Sequence, residues 1–169
     1  MNTLEKIGLG GGCHWCTEAV FLSLRGVHQV QSGWIRSVGE HCGESESVIV
    51  HFNPDQISLK TLIEIHVLTH SSASNHSMRD KYRSAIYVFS KAQAKTACTI
   101  LEAISEHLGA NFVTIILDFA GFRAVQNSYK NYYYSDRERP FCVNIIEPKL
   151  QKIIATHREH IDQDRLVAK

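Results

Sequence analysis

Hydrophobic and polar positions follow two different periods along the chain, one typical of strands and one typical of helices. Short apolar or alternating segments predict strands at residues 6–10, 27–35, 47–52, 85–89 and 112–119. Apolar positions at helical spacing predict helices at residues 15–24, 59–67, 91–107, 126–134 and 147–161. The polar segments 37–44 and 70–80 show neither period and are predicted to be loops.

Residues at the ends of these segments support the predicted boundaries. Ser58 is a suitable N-cap for the helix that follows it, and Gly26 and Gly109 are placed to end the helices before them. Helices that separate strands, with some strand pairs joined only by loops, indicate an α/β (α+β) two-layer sandwich. We expect a ferredoxin-like mixed sheet with helices packed on it. No linker or repeat divides the chain, so a single domain covering residues 1–169 is predicted.

Composition and charge narrow the classes of function. The formal net charge of +1 provides no global field that would attract nucleic acid or an anionic membrane surface. The apolar runs are too short to span a membrane, and the first residues lack the features of a signal peptide. Five cysteines, an odd number, indicate a reducing compartment and at least one chemically used thiol. We therefore expect a cytoplasmic protein without nucleic-acid or membrane partners.

The most informative segment is GGGCHWCTE, residues 10–18. Its glycines follow a predicted strand and allow a sharp turn that leaves Cys13 at the start of the next helix. Free backbone N–H groups and the helix dipole at such a position stabilise a thiolate and lower the pKa of a cysteine. Cys16 lies one helical turn further on, near enough for a disulfide after a small adjustment.

Two other interpretations of this segment stay open at this point. Cys13 and Cys16 could be small buried residues at a strand–helix junction, although Cys-x-x-Cys after three glycines favours thiol chemistry. A zinc site would need a second pair of ligands, such as Cys42 with His41 or His70. Because the chain has no second Cys-x-x-Cys motif, we expect neither a metal nor another resident cofactor.

Residues 12–21, GCHWCTEAVF, resemble the signature of the A-type peptide methionine sulfoxide reductases, which usually carry Gly-Cys-Phe-Trp followed by Gly or Cys. Further matches follow in the order of the family, and they are Gly33-Trp34, ESVIVHFNP (46–54), YRSAIY (82–87) and RPFCVNIIEPKLQK (139–152). Agreement at several ordered motifs argues against coincidence. The resemblance implies thiol-dependent reduction of methionine S-sulfoxide, peptide-bound or free, with an external reductant such as thioredoxin.

The resemblance also implies a role for individual residues. Cys13 would attack the sulfoxide sulfur, release methionine and become a sulfenic acid. Glu46 matches the acid that protonates the sulfoxide oxygen, Tyr82 matches a tyrosine that holds this oxygen, and Trp15 matches a tryptophan that packs on the substrate methyl group. A carboxyl group donates a proton near neutral pH only where its surroundings favour the protonated form. We therefore expect Glu46 to be buried beside Cys13.

The remaining cysteines are assigned by the same resemblance and by pattern. Cys16 is implied as the residue that resolves the sulfenic acid through a disulfide, which a dithiol protein then reopens. Cys42, in a glycine-containing loop, is the alternative. Cys98 is expected in the core because it lies in an amphipathic helix, and Cys142 has no expected catalytic role.

Four features depart from the family pattern. His14 stands in place of a phenylalanine, and Trp34 in place of a second oxygen-binding tyrosine. The loop before Tyr82 is short and lacks the customary acid, so Ser77 stands at its position and Asp80 is a nearby substitute. Residues 128–130 read Ser-Tyr-Lys in place of Tyr-His-Gln. We expect His14, Trp34 and Asp80 to bind substrate in an altered pocket. General thiol–disulfide exchange, or a non-catalytic redox-sensing or binding module, are the alternative functions.

Overall fold

In the computed structural model, which describes residues 3–167, a six-stranded sheet lies at the centre of the molecule. The strands are β1 (Glu5–Gly10), β2 (Val27–Arg36), β3 (Ser45–Phe52), β4 (Ala85–Val88), β5 (Ile115–Asp118) and β6 (Gly121–Ala124). They are arranged in the order β5-β4-β1-β3-β2-β6. Strands β4 and β5 are parallel and the other neighbours are antiparallel, so the sheet is mixed.

The described part of the chain also forms six α-helices. They are α1 (His14–Leu22), α2 (Leu59–Thr69), α3 (Lys91–Leu108), α4 (Tyr132–Ser135), α5 (Glu147–Thr156) and α6 (Gln163–Val167). The predicted helix ends are confirmed at two positions: the Ser58 hydroxyl accepts a hydrogen bond from the Thr61 N–H at 3.1 Å, and Gly109 ends α3 in the left-handed conformation. None of the helices within residues 3–167 is long and apolar enough to cross a membrane.

The main hydrophobic core lies between one face of the sheet and helices α1, α2 and α5. Its members include Leu9 and Val50 from the sheet, Phe21 from α1, Leu62 from α2 and Ile153 from α5, all fully buried. A smaller cluster around Tyr87 covers part of the opposite face. A mixed sheet with its helices packed on it confirms the predicted α+β fold class.

Two predicted helices have different boundaries in the structure. The helix predicted at 126–134 is wrong as a continuous element, because Asn131 has a left-handed conformation (φ 54°) that separates the 3-10 turn Asn127–Tyr129 from α4. The helix predicted at 147–161 ends at Thr156, and the chain then forms a bridge between Ile161 and Leu24.

Two further predictions at the edge of the sheet and on α3 need correction. The strand predicted at 112–119 covers only the four residues of β5, and β6 was not predicted because four residues are too few to show an alternating pattern. Cys98 was expected in the core but is exposed. Helix α3 buries Ala97 and Ile104, and Cys98 lies on its solvent side.

Candidate active site

Cys13 lies between β1 and α1 and is the N-cap residue of that helix. Its carbonyl oxygen accepts hydrogen bonds from the backbone N–H groups of Cys16 (3.1 Å) and Thr17 (3.2 Å), which begin the helix. The glycine turn before it is required by close packing, since a Cβ atom on Gly11 would lie 2.4 Å from the ring of His70. This turn places the partly exposed thiol of Cys13 at the helix start, as predicted.

Cys13 and Cys16 form a hydrogen-bonded pair of thiols. The hydrogen bond from the Cys16 side chain is the main cause that holds the pKa of Cys13 below its ordinary value, and the backbone N–H of Trp15 adds to it, while burial opposes the shift. The same hydrogen bond, together with burial, raises the pKa of Cys16. Cys13 therefore gives up its proton more readily than Cys16 and is the better nucleophile of the two.

A cavity of about 620 Å³ opens beside Cys13. The structure brings six of the predicted site residues to its wall, and these are Cys13, His14, Trp15, Trp34, Glu46 and Tyr82. Asp80 and Ser77 are exposed and do not line this cavity, so a role of Asp80 in substrate binding stays a prediction. Cys42 is also exposed and lies outside it.

Glu46 is buried at this wall, with 8% of its surface exposed, as expected from the sequence. It lies on β3 directly opposite Trp34 on β2. The backbone N–H of His14 donates a hydrogen bond to Glu46 Oε2 at 3.2 Å. His14 Nδ1 lies at the same distance from this oxygen but is not aligned for a hydrogen bond. On the other side, Lys81 Nζ is 3.7 Å from Glu46 Oε1.

The His14 ring is buried between the carboxylate and the aromatic walls of the cavity. Burial lowers the pKa of His14, and the charge of Lys81 adds to this, against the attraction of Glu46. The ring is therefore neutral at neutral pH. It meets the edge of Trp34 with 5.2 Å between ring centroids, so it fills space as the phenylalanine of the family pattern would.

Ring stacking and a cation–π contact hold the two tryptophans of the cavity. Trp15 stacks on Tyr132 with 4.0 Å between ring centroids and 4° between ring planes. The guanidinium of Arg123 lies 4.0 Å from the ring centroid of Trp34 and pairs with Glu44 at 2.6 Å. These contacts fix both indole rings before any substrate binds.

Several residues of the cavity were not found from the sequence. Arg123 lies on β6, the strand that was not predicted, and Lys81 is a single lysine beside Tyr82 without any pattern to mark it. Tyr129 also lines the cavity and lies in the segment 128–130, whose departure from the family was the one signal that pointed to it. Phe141 lines the same cavity.

Within residues 3–167, no group of three or more histidine, cysteine or acidic side chains could hold a metal ion. His66 on α2 and His70 just after it, four residues apart, instead contact each other with 4.3 Å between ring centroids and 34° between ring planes. His70 Nδ1–H donates to the carbonyl of His66 at 2.5 Å, and its Nε2 accepts from the Ser84 hydroxyl at 2.8 Å. The His70 ring thus packs directly against the glycine turn at Gly11.

A thiolate at a helix start, a second thiol one turn later and a buried carboxylate beside an aromatic cavity define the site of a thiol-based oxidoreductase. Residues 5–162 match the model of the peptide methionine sulfoxide reductase family, and the chain belongs to this family. It is 35% identical over 165 residues to the peptide methionine sulfoxide reductase MsrA of Deinococcus radiodurans. That alignment covers 88% of this chain and 80% of the relative.

Solved structures show the same fold. Methionine sulfoxide reductase A of Corynebacterium diphtheriae superposes with a TM-score of 0.69 at 22% identity, covering 80% of this chain and 76% of that one. Mxr1 of Saccharomyces cerevisiae, in a complex with Trx2, superposes with a TM-score of 0.55 at 21% identity, covering 76% of this chain and 84% of Mxr1. Both comparisons agree with the fold that the resemblance implied.

Proposed function

We propose that the chain is a methionine sulfoxide reductase that uses Cys13 to reduce methionine S-sulfoxide, peptide-bound or free. The observation that carries this proposal is the arrangement of Cys13 and Glu46 on one wall of the same aromatic cavity. Family membership supports it, since the curated relative named above is a reductase of this class. Thiol–disulfide exchange alone would not need a buried carboxylate, because that reaction protonates no oxygen.

In the first step, the Cys13 thiolate attacks the sulfur of the sulfoxide. Glu46 in its protonated form gives its proton to the oxygen, on which negative charge develops, and the Tyr82 hydroxyl donates a hydrogen bond to that oxygen. The oxygen passes to Cys13, the bond between methionine sulfur and oxygen breaks, and methionine leaves. The methionine sulfur gains two electrons and Cys13 becomes a sulfenic acid.

We propose that Trp15, His14 and Trp34 enclose the methyl group and the side chain of the substrate. All three rings line the cavity beside Cys13, and Trp15 is held by stacking on Tyr132. Fixed rings orient the sulfoxide sulfur toward the thiolate without an entropic cost at the moment of reaction.

In the second step, Cys16 attacks the sulfenic sulfur of Cys13, water leaves, and a disulfide forms. A dithiol protein of the thioredoxin type then donates two electrons and two protons through a mixed disulfide and restores both thiols. The complex of Mxr1 with Trx2 supports this type of partner. All electrons come from thiols, so the scheme needs no resident cofactor. The five free cysteines fit the cytoplasm as its place of action.

The test is a turnover assay with dithiothreitol on the separated S and R epimers of free and N-acetylated methionine sulfoxide. We expect consumption of the S epimer alone, and no consumption by Cys13→Ser, because a serine hydroxyl is too weakly acidic to replace a thiolate. Turnover of the S epimer by Cys13→Ser would refute the assignment of the nucleophile. Reduction of protein disulfides without any loss of sulfoxide would favour general thiol–disulfide exchange instead.

A further inference from the structure

A second opening reaches the thiol pair from outside the substrate cavity. It is a groove of about 570 Å³, and Cys13, Tyr82 and Phe141 are the residues it shares with the cavity. Cys16 lines this groove and does not line the cavity. A reductant must reach the bond between Cys13 and Cys16. Both sulfur-bearing residues line the groove, whereas only Cys13 lines the substrate cavity, so the groove is the opening that gives access to this bond.

The chemistry of the groove is that of a protein contact. It has apolar walls from Leu68, Ile145 and Pro148. Ile145 is 44% exposed and its neighbour Val143 is 51% exposed, both on the π-helix Cys142–Ile146 before α5. Exposed apolar side chains that cluster beside a reactive group are typical of an interaction surface.

The charged side chains that line the groove are all basic. Lys149 and Lys152 line it together with His76, and none of the described residues that line it is acidic. Lys152 Nζ donates a hydrogen bond to the Leu68 carbonyl at 2.7 Å, whereas Lys149 lies close enough to Cys16 for its charge to lower the pKa of that thiol. An acidic partner would therefore be attracted to the face that carries the buried sulfur.

We propose that this groove, lined by Cys16, Ile145, Lys149 and Lys152, is the docking site for the protein dithiol that reduces the Cys13–Cys16 disulfide, and that this partner presents acidic residues around its dithiol. The inference rests on the proposed function, in which Cys16 is the resolving cysteine. It separates the two reactions in space, since the oxidised substrate enters at Glu46 and the reductant at Lys149. Product can then remain in the cavity without blocking reduction of the enzyme.

The first test is charge reversal. Lys149→Glu is expected to lower the ratio of thioredoxin-driven to dithiothreitol-driven turnover by roughly tenfold, because an attraction between exposed charges becomes a repulsion of similar size. Lys149→Arg should restore the ratio. Lys95→Glu is the matched control, since Lys95 is exposed on α3 and does not line the groove. Equal ratios in Lys149→Glu and Lys95→Glu would overturn the proposal.

The second test uses the unaltered chain. A thioredoxin with its second cysteine replaced by serine traps the mixed disulfide, and amide hydrogen exchange of the trapped complex maps the contact. We expect new protection at residues 68–71 and 145–152. Protection at the Cys42 loop or at the cavity rim near Arg123 would place the partner elsewhere. If the wild-type protein did not reduce sulfoxide with dithiothreitol, the proposed function itself would be refuted. The two failures are therefore distinguishable.

Discussion

Two nitrogens of His14, the residue next to the nucleophile, lie 3.2 Å from Glu46 Oε2: the backbone N, which donates a hydrogen bond, and the ring Nδ1, which does not; both side chains are at most 10% exposed. In its neutral form the buried ring gives the cavity an uncharged wall beside Cys13. A protonated ring would place a positive charge in the wall against which the methyl group of the substrate is proposed to lie. The protonation state of His14 therefore sets the polarity of this part of the cavity.

The first prediction is a weaker binding of substrate in acid that depends on His14. Because its pKa lies below the ordinary 6.5, the ring gains a proton only as the pH falls below that value, and the KM for S-sulfoxide should then rise because a charge enters the aromatic wall. His14→Phe should remove this rise. The charged groups that act on the ring are Glu46 and Lys81. Ultraviolet absorbance of the Cys13 thiolate, measured at each pH, separates the rise from protonation of the nucleophile. An unchanged rise in His14→Phe would contradict the prediction.

The second prediction concerns Glu46 itself. Glu46→Gln should slow the first turnover by about 10²–10⁴-fold, the usual contribution of a general acid, while the thiolate yield of Cys13 changes little. The amide keeps an acceptor for the His14 N–H, so the local structure should be retained. The measurement is rapid-quench single turnover with S-sulfoxide. A loss of rate of at most about threefold, far smaller than the usual contribution of a general acid, would show that Glu46 has a structural role.

An element can be predicted from the sequence when its hydrophobic pattern is long enough and lies within the element itself. The predicted and observed structures differ where an element depends on contacts with distant residues. Strands β1 and β3 and helix α3 were predicted well because each is at least six residues long, and because Gly109 marks the end of α3. Strand β6 is stabilised by pairing with β2, which is a tertiary interaction that four residues cannot encode. Arg123 was missed for the same reason.

The site shows the same division between local and tertiary information. The glycine turn and the two thiols form one local motif, so their placement could be predicted. Glu18, at the end of the same segment, depends instead on tertiary contacts. It is buried and accepts hydrogen bonds from the Ser32 hydroxyl (2.7 Å) and the Tyr132 N–H (3.1 Å), contacts that only the folded chain creates.

The third prediction tests the close packing under the turn. Gly11→Ala should destabilise the protein by about 1–3 kcal/mol, the cost of overpacking a filled site, because its Cβ atom would overlap the His70 ring. That ring is held by hydrogen bonds to His66 and Ser84 and has little freedom to move. Gly12→Ala is the control, since its nearest neighbour would lie 4.0 Å away. Urea unfolding of both variants gives the comparison, and equal stabilities would exclude steric conflict at Gly11.

The fourth prediction is a loss of stability in acid caused by His70. Burial lowers its pKa from 6.5 to about 4, so the unfolded chain binds this proton more readily than the folded one. The contribution to stability is therefore complete above pH 6.5 and is lost progressively as the pH falls toward 4, by up to about 3 kcal/mol. His70→Gln should flatten this slope when urea unfolding is repeated at several pH values. A slope equal to that of the wild type would assign the effect to other groups, such as His66.

The fifth prediction decides which thiol resolves the sulfenic acid. Cys16 shares a hydrogen bond with Cys13 and lies one turn along the same helix, whereas Cys42 is exposed and lines neither the cavity nor the groove. After one turnover without reductant, mass spectrometry of digests should find a Cys13–Cys16 link. Cys16→Ser should still release one equivalent of methionine, keep a sulfenic acid and lose thioredoxin-driven cycling. Cys98→Ser, a change at an exposed thiol on α3, is the matched control and should cycle normally.

Thioredoxin has to be the reductant in this comparison, because small thiols attack a sulfenic acid directly and would hide the loss. A Cys13–Cys42 link would show that the loop around Gly39 and Gly43 brings Cys42 inward. Undiminished thioredoxin-driven cycling in Cys16→Ser would likewise assign the resolving step to another thiol. Either result would also remove the reason for a reductant to approach the sulfur of Cys16, so the measurement bears on the docking groove at Lys149 as well.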